Sequence, residues 1–408
     1  MTEFYQTYRL SNGIRLIHRQ TTSEVAHFGM IVHTGTRDEQ DDEHGLAHFM
    51  EHMFFKGTRK RSPYQIISRL EDVGGEINAY TTKEETAIYA SFLRRDYRKA
   101  VELIQDIFLH STFPERERKK ETEVILNEIQ SYEDTPSELI FDHSDEILFP
   151  DHPIGRNILG SEQSLKRFTN GLVDRFRLEN YSTEELVLCS VGNLEFAKLK
   201  KYVENYFGAL SGYSRTRKRF APQAQTGIVK QLERHTYQKH CVISGTAYSY
   251  SDKRRMGLHL LNNILGGPGM NSRLNMALRE KRGFSYSAES NYTTYTDTGA
   301  LNIYFSCDRE KFNKCLDVTE KELTKLRDTL LSPRRINFAR RQLLGQIAIS
   351  SDIGEHLLLS MGKSYLLFDK VDSLEEIEQK LEAVTPVELR EIANDVLDPS
   401  RLNYLMYE

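Results

Sequence analysis

The sequence predicts an α+β protein of two homologous domains, each a mostly antiparallel sheet packed with helices. Three observations lead to this fold class. Strand-like segments are mixed with helical ones, the same order of segments occurs twice, and a polar stretch at 212–225 separates the two copies. A chain of 408 residues is long enough for two domains. We therefore expect an N-terminal domain over 1–213 and a homologous C-terminal domain over 226–408.

The first copy carries clear signals for turns and helix starts. Asn12-Gly13 lies between two strand-like runs and is typical of a two-residue hairpin turn. Ser62-Pro63 combines a favourable N-cap with a proline at the first helical position. In order, the predicted elements are a hairpin within residues 1–20, a strand over 25–34, helices over 43–56 and from Ser62 to Gly74, strands over 76–82 and 86–93, and helices from Asp96 and from Pro114 through Glu128.

The second copy repeats this order after the polar stretch. Its predicted elements are a strand over 241–248, helices over 256–266 and through Arg279, strands over 290–294 and 300–307, and a helix from Arg309 to Leu326. We take the repetition as an internal duplication. The stretch at 212–225 contains one proline and several basic residues, and we interpret it as a solvated linker rather than a binding patch.

Composition and charge argue against several classes of function. The formal net charge of -4 gives no reason to expect nucleic acid or an anionic membrane as a partner. Neither a secretory signal nor an apolar run of membrane-spanning length is visible, so we expect no membrane association and a cytoplasmic protein. The four scattered cysteines suit buried free thiols in a reducing compartment. LGGPGMNSR is only a faint match to a phosphate-binding loop.

The helix predicted over 43–56 carries the strongest functional signal. His48 and His52 are four residues apart, so both rings project from one face of the helix. Imidazole nitrogens suit zinc, and a catalytic zinc usually has three protein ligands and an open position for water. Glu51 lies beside that face, where it could act as general base. This His-x-x-Glu-His order is the reverse of the commoner zinc-peptidase motif.

The duplication provides an internal control for this interpretation. Aligning Gly45 with Gly257 places Leu260, Asn263 and Ile264 opposite His48, Glu51 and His52. The second copy keeps an apolar helix without the polar triplet, so the fold itself does not require it. A purely structural role for a buried imidazole pair with a carboxylate is therefore disfavoured.

Spacing alone leaves the third ligand open. The helix beginning near Pro114 offers Glu121, Glu123 and Glu128, of which Glu121 and Glu128 share a face. His44 is also four residues from His48 and would make a rival pair, but it precedes Gly45 at the helix start, where we expect it to be exposed.

Several segments resemble one known family. HGLAHFMEHMFFKGT, GGEINAYTTKEETAIYASF, ETEVILNEI, HPIGRNILGSE and LREKRGFSYS are similar to motifs of the pitrilysin (insulinase) family of inverted-motif zinc peptidases. The small-subunit branch, which includes the mitochondrial processing peptidase subunits, is the most similar. The resemblance covers nearly the whole chain. One departure is Pro268, where the family usually has glycine or a small residue.

The resemblance implies the remaining site residues. Glu128 is the implied third zinc ligand, and Glu121 a carboxylate that supports the site. Arg279 and Tyr286, seven residues apart in the second copy, are implied to act near the substrate carbonyl. Taken alone, they would be a helix-end arginine and a strand tyrosine.

The resemblance also implies how a substrate binds. Asn78 and Ala79 match the strand along which a peptide adds as an extra strand. The two domains are expected to close on the substrate like a clamshell, which favours peptides or unfolded polypeptide segments.

These inferences predict a zinc metalloendopeptidase with one zinc ion per chain. The chain carries both the metal motif and the arginine–tyrosine pair, so a homodimer is the simplest assembly, with a heterodimer as the other possibility. The alternative is a non-catalytic or regulatory peptide-binding subunit of a heterodimeric peptidase. The intact motif argues against that alternative, and Glu51 argues against a zinc-stabilised module that only binds.

Overall fold

A computed structural model describes residues 5–234 and 236–408. Its strands form two sheets, one in each half of the chain. The strands of the first sheet are β1 (Gln6–Arg9), β2 (Arg15–Gln20), β3 (Val25–Val32), β4 (Glu76–Thr81), β5 (Thr86–Leu93) and β6 (Leu186–Gly192). Those of the second are β7 (Val229–Leu232), β8 (Lys239–Ala247), β9 (Ser285–Thr294), β10 (Gly299–Cys307) and β11 (Asn403–Tyr407).

The two sheets have the same topology. The first has the order β1-β2-β6-β3-β5-β4 and the second β7-β11-β8-β10-β9. In the first, β2 pairs parallel with β6 and the other neighbours are antiparallel. In the second, β7 pairs parallel with β11 and the rest are antiparallel. The predicted α+β class with duplicated, mostly antiparallel sheets is confirmed, and β1 is an addition at one edge of the first sheet.

Helices cover both faces of the sheets. They are α1 (Leu46–Phe54), α2 (Pro63–Glu71), α3 (Tyr97–His110), α4 (Glu115–Glu133), α5 (Pro136–Leu148), α6 (Glu162–Leu165), α7 (Asn170–Asn180), α8 (Phe196–Phe207), α9 (Arg255–Gly266), α10 (Phe312–Asp328), α11 (Pro333–Ser351), α12 (Gly354–Phe368), α13 (Leu374–Ala383) and α14 (Pro386–Val396). A π-helical turn spans Asn275–Glu280. The sequence patterns predict none of the helices between α4 and α9 and none of the elements beyond α10.

Two helices are exchanged between the halves of the chain. The chain forms two compact units: unit 1 comprises the described residues through Ile129, Asn157–Arg219 and Ile349–Val371, and unit 2 comprises Gln130–Arg156, Phe220–Ala348 and Asp372–Glu408. Helix α5 therefore belongs to unit 2, and α12 to unit 1. The predicted domains, 1–213 and 226–408, are contiguous in sequence. The observed units differ from them because α5 and α12 each belong to the other unit.

Apolar burial accounts for the exchange. In unit 1, Leu357, Leu358 and Met361 of α12 join a buried cluster with Ile31 and Cys189 on one face of the first sheet. In unit 2, α5 makes the corresponding cluster, in which Ile140 and Ile147 pack with residues of β8, β10 and β11. The opposite face of each sheet carries the larger core of its unit. Each unit is thus a sheet between helices, with one outer helix supplied by the other half of the sequence.

The stretch at 212–225 is not a solvated linker over its first half. Its arginines Arg215, Arg217 and Arg219 alternate with exposed residues and face inward. Arg217 Nη1 lies 2.6 Å from Glu43 Oε2, and Arg219 Nη2 lies 2.8 Å from Asp38 Oδ2. Both carboxylates are buried, so these ion pairs fasten the segment to unit 1. We call residues 213–219 the arginine strap.

The cysteines and the apolarity of the helices were also the subject of predictions. The prediction of buried free thiols is confirmed for Cys189, Cys241, Cys307 and Cys315. Among the described residues, no helix combines the length and apolarity needed to cross a membrane.

Candidate metal centre

Helix α1 presents the two histidines from a firmly buried support. Phe49, Met50 and Met53 of this helix are at most 1% exposed and belong to the large core of unit 1. His48 and His52 lie on the opposite side, with ring centroids 4.7 Å apart. The apolar face fixes the helix, and the one-turn spacing then brings the two imidazoles together.

The start of α1 is set by Gly45 and Glu39. Gly45 has φ +87°, and a Cβ at this position would lie 2.5 Å from the Cα of Gly160. The backbone N–H groups of Gly45 and Ala47 donate to the Glu39 carboxylate at 2.9 and 2.8 Å. The helix therefore begins at Leu46 rather than at residue 43, and a buried carboxylate binds its positive N-terminus. His44 is half-buried, not exposed, and its Nε2 lies 3.1 Å from the Asn157 carbonyl oxygen.

Glu128 of α4 reaches the same point. Its Oε1 lies 3.8 Å from His48 Nε2, and its Oε2 lies 3.6 Å from His52 Nε2. One ligand atom from each of the three residues lies within 4.8 Å of the others, and the described part of the chain contains no second group of this kind. Ligand atoms at about 2.1 Å from a tetrahedral zinc ion are about 3.4 Å apart, which is close to these separations.

His48 has the properties of a neutral metal ligand. Burial, aided by the charge of His52, lowers the pKa of His48 to about 4. The uncharged imidazole is the form that binds a metal ion. Its Nδ1 is buried and makes no hydrogen bond within residues 5–234 and 236–408. The donor set of two imidazoles and one carboxylate therefore fits zinc, with Nε2 as the ligand atom of each histidine.

His52 is held in place by Glu121. The Nδ1 of His52 lies 3.2 Å from Glu121 Oε2, so its Nε2 points toward Glu128. Burial alone would lower the pKa of His52, but the hydrogen bond to Glu121 and the negative charges of Glu128 and Glu51 outweigh burial and raise it. Lys56 Nζ pairs with the other oxygen of Glu121 at 2.7 Å. Burial would raise the pKa of Glu121, but its bonds to His52 and Lys56 lower it, so it is an anion.

Glu51 lies beside the ligands and is not one of them. Burial raises the pKa of Glu51, and the charge of Glu128 adds to the effect. The Thr81 hydroxyl and the charge of His52 partly oppose this shift. A carboxylate with a raised pKa next to a metal site is suited to accept and return a proton.

Strand β4 ends at Thr81 and forms an edge of the first sheet. Among the strands of the described residues it pairs with β5 alone, through Asn78↔Tyr89 and Ala79↔Ile88. Asn78 is exposed. The opposite edge of β4 is therefore available for another strand.

Arg279 and Tyr286 belong to unit 2. Arg279 lies in the π-helical turn, with its Nε 3.7 Å from Glu280 Oε1, and its side chain is 49% exposed. Tyr286 lies on β9 and is 78% exposed. Both side chains are thus open to solvent on the surface of their unit.

Sequence reasoning missed three residues near the metal centre. Lys56 follows His52 by four residues and could have been found from that spacing. Glu39 and Thr81 gave no local signal, because Glu39 is separated from the helix start by a loop and Thr81 reaches Glu51 only through tertiary packing.

The chain is similar to known proteins over most of its length. The family model described as Insulinase (Peptidase family M16) matches residues 15–162, and the model described as Peptidase M16 inactive domain matches residues 167–343. The chain is 31% identical to the uncharacterized zinc protease YmxG of Bacillus subtilis, covering 92% of each protein. It is 33% identical to the uncharacterized zinc protease SCO5738 of Streptomyces coelicolor, covering 95% of this chain and 86% of the relative.

Solved structures confirm the fold. A protease from Helicobacter pylori superposes with a TM-score of 0.93 at 16% identity and 99% coverage of both chains. A peptidase M16 inactive domain from Pseudomonas fluorescens gives a TM-score of 0.91 at 18% identity, covering 99% of this chain and 98% of that one. The resemblance noted in the sequence is thereby confirmed, and the chain belongs to the insulinase family, peptidase family M16.

Proposed function

We propose that this protein is a zinc endopeptidase that hydrolyses peptides or unfolded polypeptide segments, with Glu51 as the general base. The observation that carries the proposal is the convergence of His48, His52 and Glu128 beside the half-buried carboxylate of Glu51, which is not part of the ligand group. A metal site with a structural role alone has no need of such a free carboxylate. The zinc protease names of the relatives support the same class of reaction.

His48, His52 and Glu128 would hold one zinc ion per chain, which would supply Lewis-acid chemistry for activating water and a carbonyl group. Glu51 accepts the proton of the attacking water and delivers it to the leaving amine. Its raised pKa suits both steps, because the carboxyl group must hold the proton between them. Glu121 keeps the His52 ring in its ligating orientation.

The remaining roles concern the substrate. An extended peptide would pair with the free edge of β4 at Asn78 and Ala79, where backbone hydrogen bonds bind it with little dependence on sequence. Arg279 and Tyr286 would donate hydrogen bonds to the carbonyl oxygen as negative charge develops on it. A homodimer is the assembly we propose, because one chain carries every residue named here. A heterodimer is the alternative, and sedimentation at several protein concentrations separates the two.

The decisive experiment compares wild type with Glu51→Gln on quenched fluorescent peptides, with bound zinc measured by elemental analysis. We expect Glu51→Gln to retain zinc, because Glu51 is not a ligand, and to lose about 10²- to 10⁴-fold in turnover, which is the usual contribution of a general base. Wild-type protein that holds zinc yet cleaves no peptide, alone or with candidate partner chains, would contradict the proposal.

A second candidate function is that of a non-catalytic peptide-binding subunit. It is favoured by one observation, the match of residues 167–343 to a family model described as an inactive domain. The same experiment decides between the two functions, because a binding subunit would retain peptides on wild type and Glu51→Gln equally and cleave none.

A further inference from the structure

Unit 2 contains a cavity at the position that corresponds to the metal centre of unit 1. The cavity has a volume of about 530 Å³ and lies among α9, the π-helical turn, α10 and α11. Asn263 and Ile264, which the internal duplication aligns with Glu51 and His52, form part of its wall. This volume is in the range of sites for small molecules.

The charges around the cavity are strongly unbalanced. Its lining includes Arg273, Lys281, Lys325 and Arg335 but only one carboxylate, that of Glu322. Lys325 Nζ lies 2.7 Å from Glu322 Oε1, so this carboxylate already has one close partner. The lining therefore carries an excess of positive charge, although the whole chain is acidic.

Arg273 is the cation that lies inside the cavity. Its side chain is 18% exposed, and its nearest carboxylate oxygen, Glu322 Oε2, is 3.7 Å away. Burial lowers the pKa of Arg273, the charge of Arg335 lowers it further, and Glu322 opposes both effects. A guanidinium stays charged in a protein, and the carboxylate that pairs with this half-buried arginine is shared with Lys325.

Asn263 adds a second, independent observation. The residue is only 7% exposed, and its Nδ2 makes no hydrogen bond within the described part of the chain. A buried N–H donor without an acceptor is costly. An anionic acceptor bound in the cavity would give the Asn263 amide a partner and add negative charge beside Arg273, whose one paired carboxylate is shared with Lys325.

The loop beside the cavity is held in place. Asn271 lies in the loop that contains Pro268, and Gln342 lies on α11. Their side-chain amides form two hydrogen bonds, at 3.3 and 3.0 Å, which tie the loop to α11. Phe338 and Leu331 supply apolar surface to the same lining. The lining thus combines polar donors with apolar surface.

We propose that this cavity binds a small dianionic molecule through phosphate or carboxylate oxygens, with Arg273 and Asn263 as the inner donors and Arg335 at the rim. The two ligand types share this chemistry, since both offer negatively charged oxygen acceptors. The proposal is independent of the peptidase function, because every residue it uses lies in unit 2 and none belongs to the metal centre.

The test is titration calorimetry of the full zinc-loaded chain with phenyl phosphate and, separately, succinate, at about 150 mM salt to screen unspecific attraction. We expect saturable binding of one molecule per chain for at least one of them. Arg335→Ala and Asn263→Leu should each weaken the binding about tenfold, which corresponds to ~1.4 kcal/mol. Arg335 is exposed, so its replacement keeps the protein folded even if Asn263→Leu does not.

The matched control is Arg341→Ala, which removes an exposed arginine of the same helix that does not line the cavity. The Arg341→Ala variant should bind the probe molecules with the same affinity as wild type. His48→Ala should also bind as wild type does, which excludes capture of the ligand by bound zinc. Binding of one probe alone identifies the oxygen type. Absence of saturable binding with both probes, or equal weakening by Arg341→Ala, would overturn the proposal.

Discussion

Glu121 connects the metal centre to the protein around it. It bonds His52 through one oxygen and Lys56 through the other, and it is only 4% exposed. A carboxylate in this position fixes the orientation of the imidazole before a metal ion arrives and makes its other nitrogen a better ligand.

We therefore expect Glu121→Ala to weaken zinc binding by about 10- to 100-fold, the usual effect of removing such a support, while the chain stays folded. Competition with a fluorescent chelator measures the affinity. Glu123→Ala is the control, since Glu123 is exposed on the same helix. If both variants bound zinc as tightly as wild type, Glu121 would have no part in the site.

Helical spacing identifies only some residues of the metal centre. The triplet His48, Glu51 and His52 was visible because helical spacing within one turn is a local property. Glu128 could not be separated from Glu121 by spacing, because both face the same way on α4. Only the tertiary placement of α4 against α1 gives Glu128 the contacts to both Nε2 atoms and leaves Glu121 to the far nitrogen of His52.

The arginine strap is the element whose role differs most from expectation. Its composition resembles that of a solvated linker, but burial alternates along it, so every second side chain faces unit 1. Glu43 and Asp38 lie under it and are far apart in sequence from the arginines they bind. No local pattern could reveal these partners.

We expect Arg217→Ala to lower the free energy of unfolding by about 2 kcal/mol, because it leaves the fully buried Glu43 with fewer cationic partners. The loss stays below the ~3–5 kcal/mol of an isolated buried pair, since Arg175 also contacts Glu43 at 2.9 Å. Urea unfolding measures it. Lys218→Ala, at the exposed position between two strap arginines, should change stability by less than ~0.5 kcal/mol. Equal effects of the two substitutions would contradict the role assigned to the strap.

The elements of the first copy up to α4 followed largely from local signals. The turn at Asn12-Gly13 and the N-cap at Ser62 each depend on residues within a few positions of one another. The first hairpin is present as β1 and β2, and Gly13 has φ +96°.

The duplicated architecture was predictable at the scale of the whole molecule, and the exchange of α5 and α12 was not. Both helices occupy the same position in their copies, and each has an apolar face that either sheet could bury. Exchange leaves every local pattern unchanged, so only the structure shows which sheet each helix covers.

The exchange predicts how fragments behave. A fragment of residues 1–213 lacks α12, so the apolar face at Ile31 and Cys189 is uncovered. We expect this fragment alone to aggregate or bind a hydrophobic dye, and co-expression with residues 214–408 to restore a soluble complex. Size-exclusion chromatography with dye fluorescence measures both. A monomeric fragment 1–213 that binds no dye would show that α12 is dispensable for unit 1.

The same exchange has a consequence for the moment when the protein is made. A ribosome releases the N-terminus first, yet unit 1 cannot be completed until Ile349–Val371 has emerged, about 150 residues after Arg219. At roughly 5–20 residues per second, a nearly finished sheet waits on the order of ten seconds or more with one apolar face open. During that interval the nascent chain can bind chaperones or associate with other nascent chains on the same mRNA. This exposure is a consequence of sharing helices between the two halves of one polypeptide.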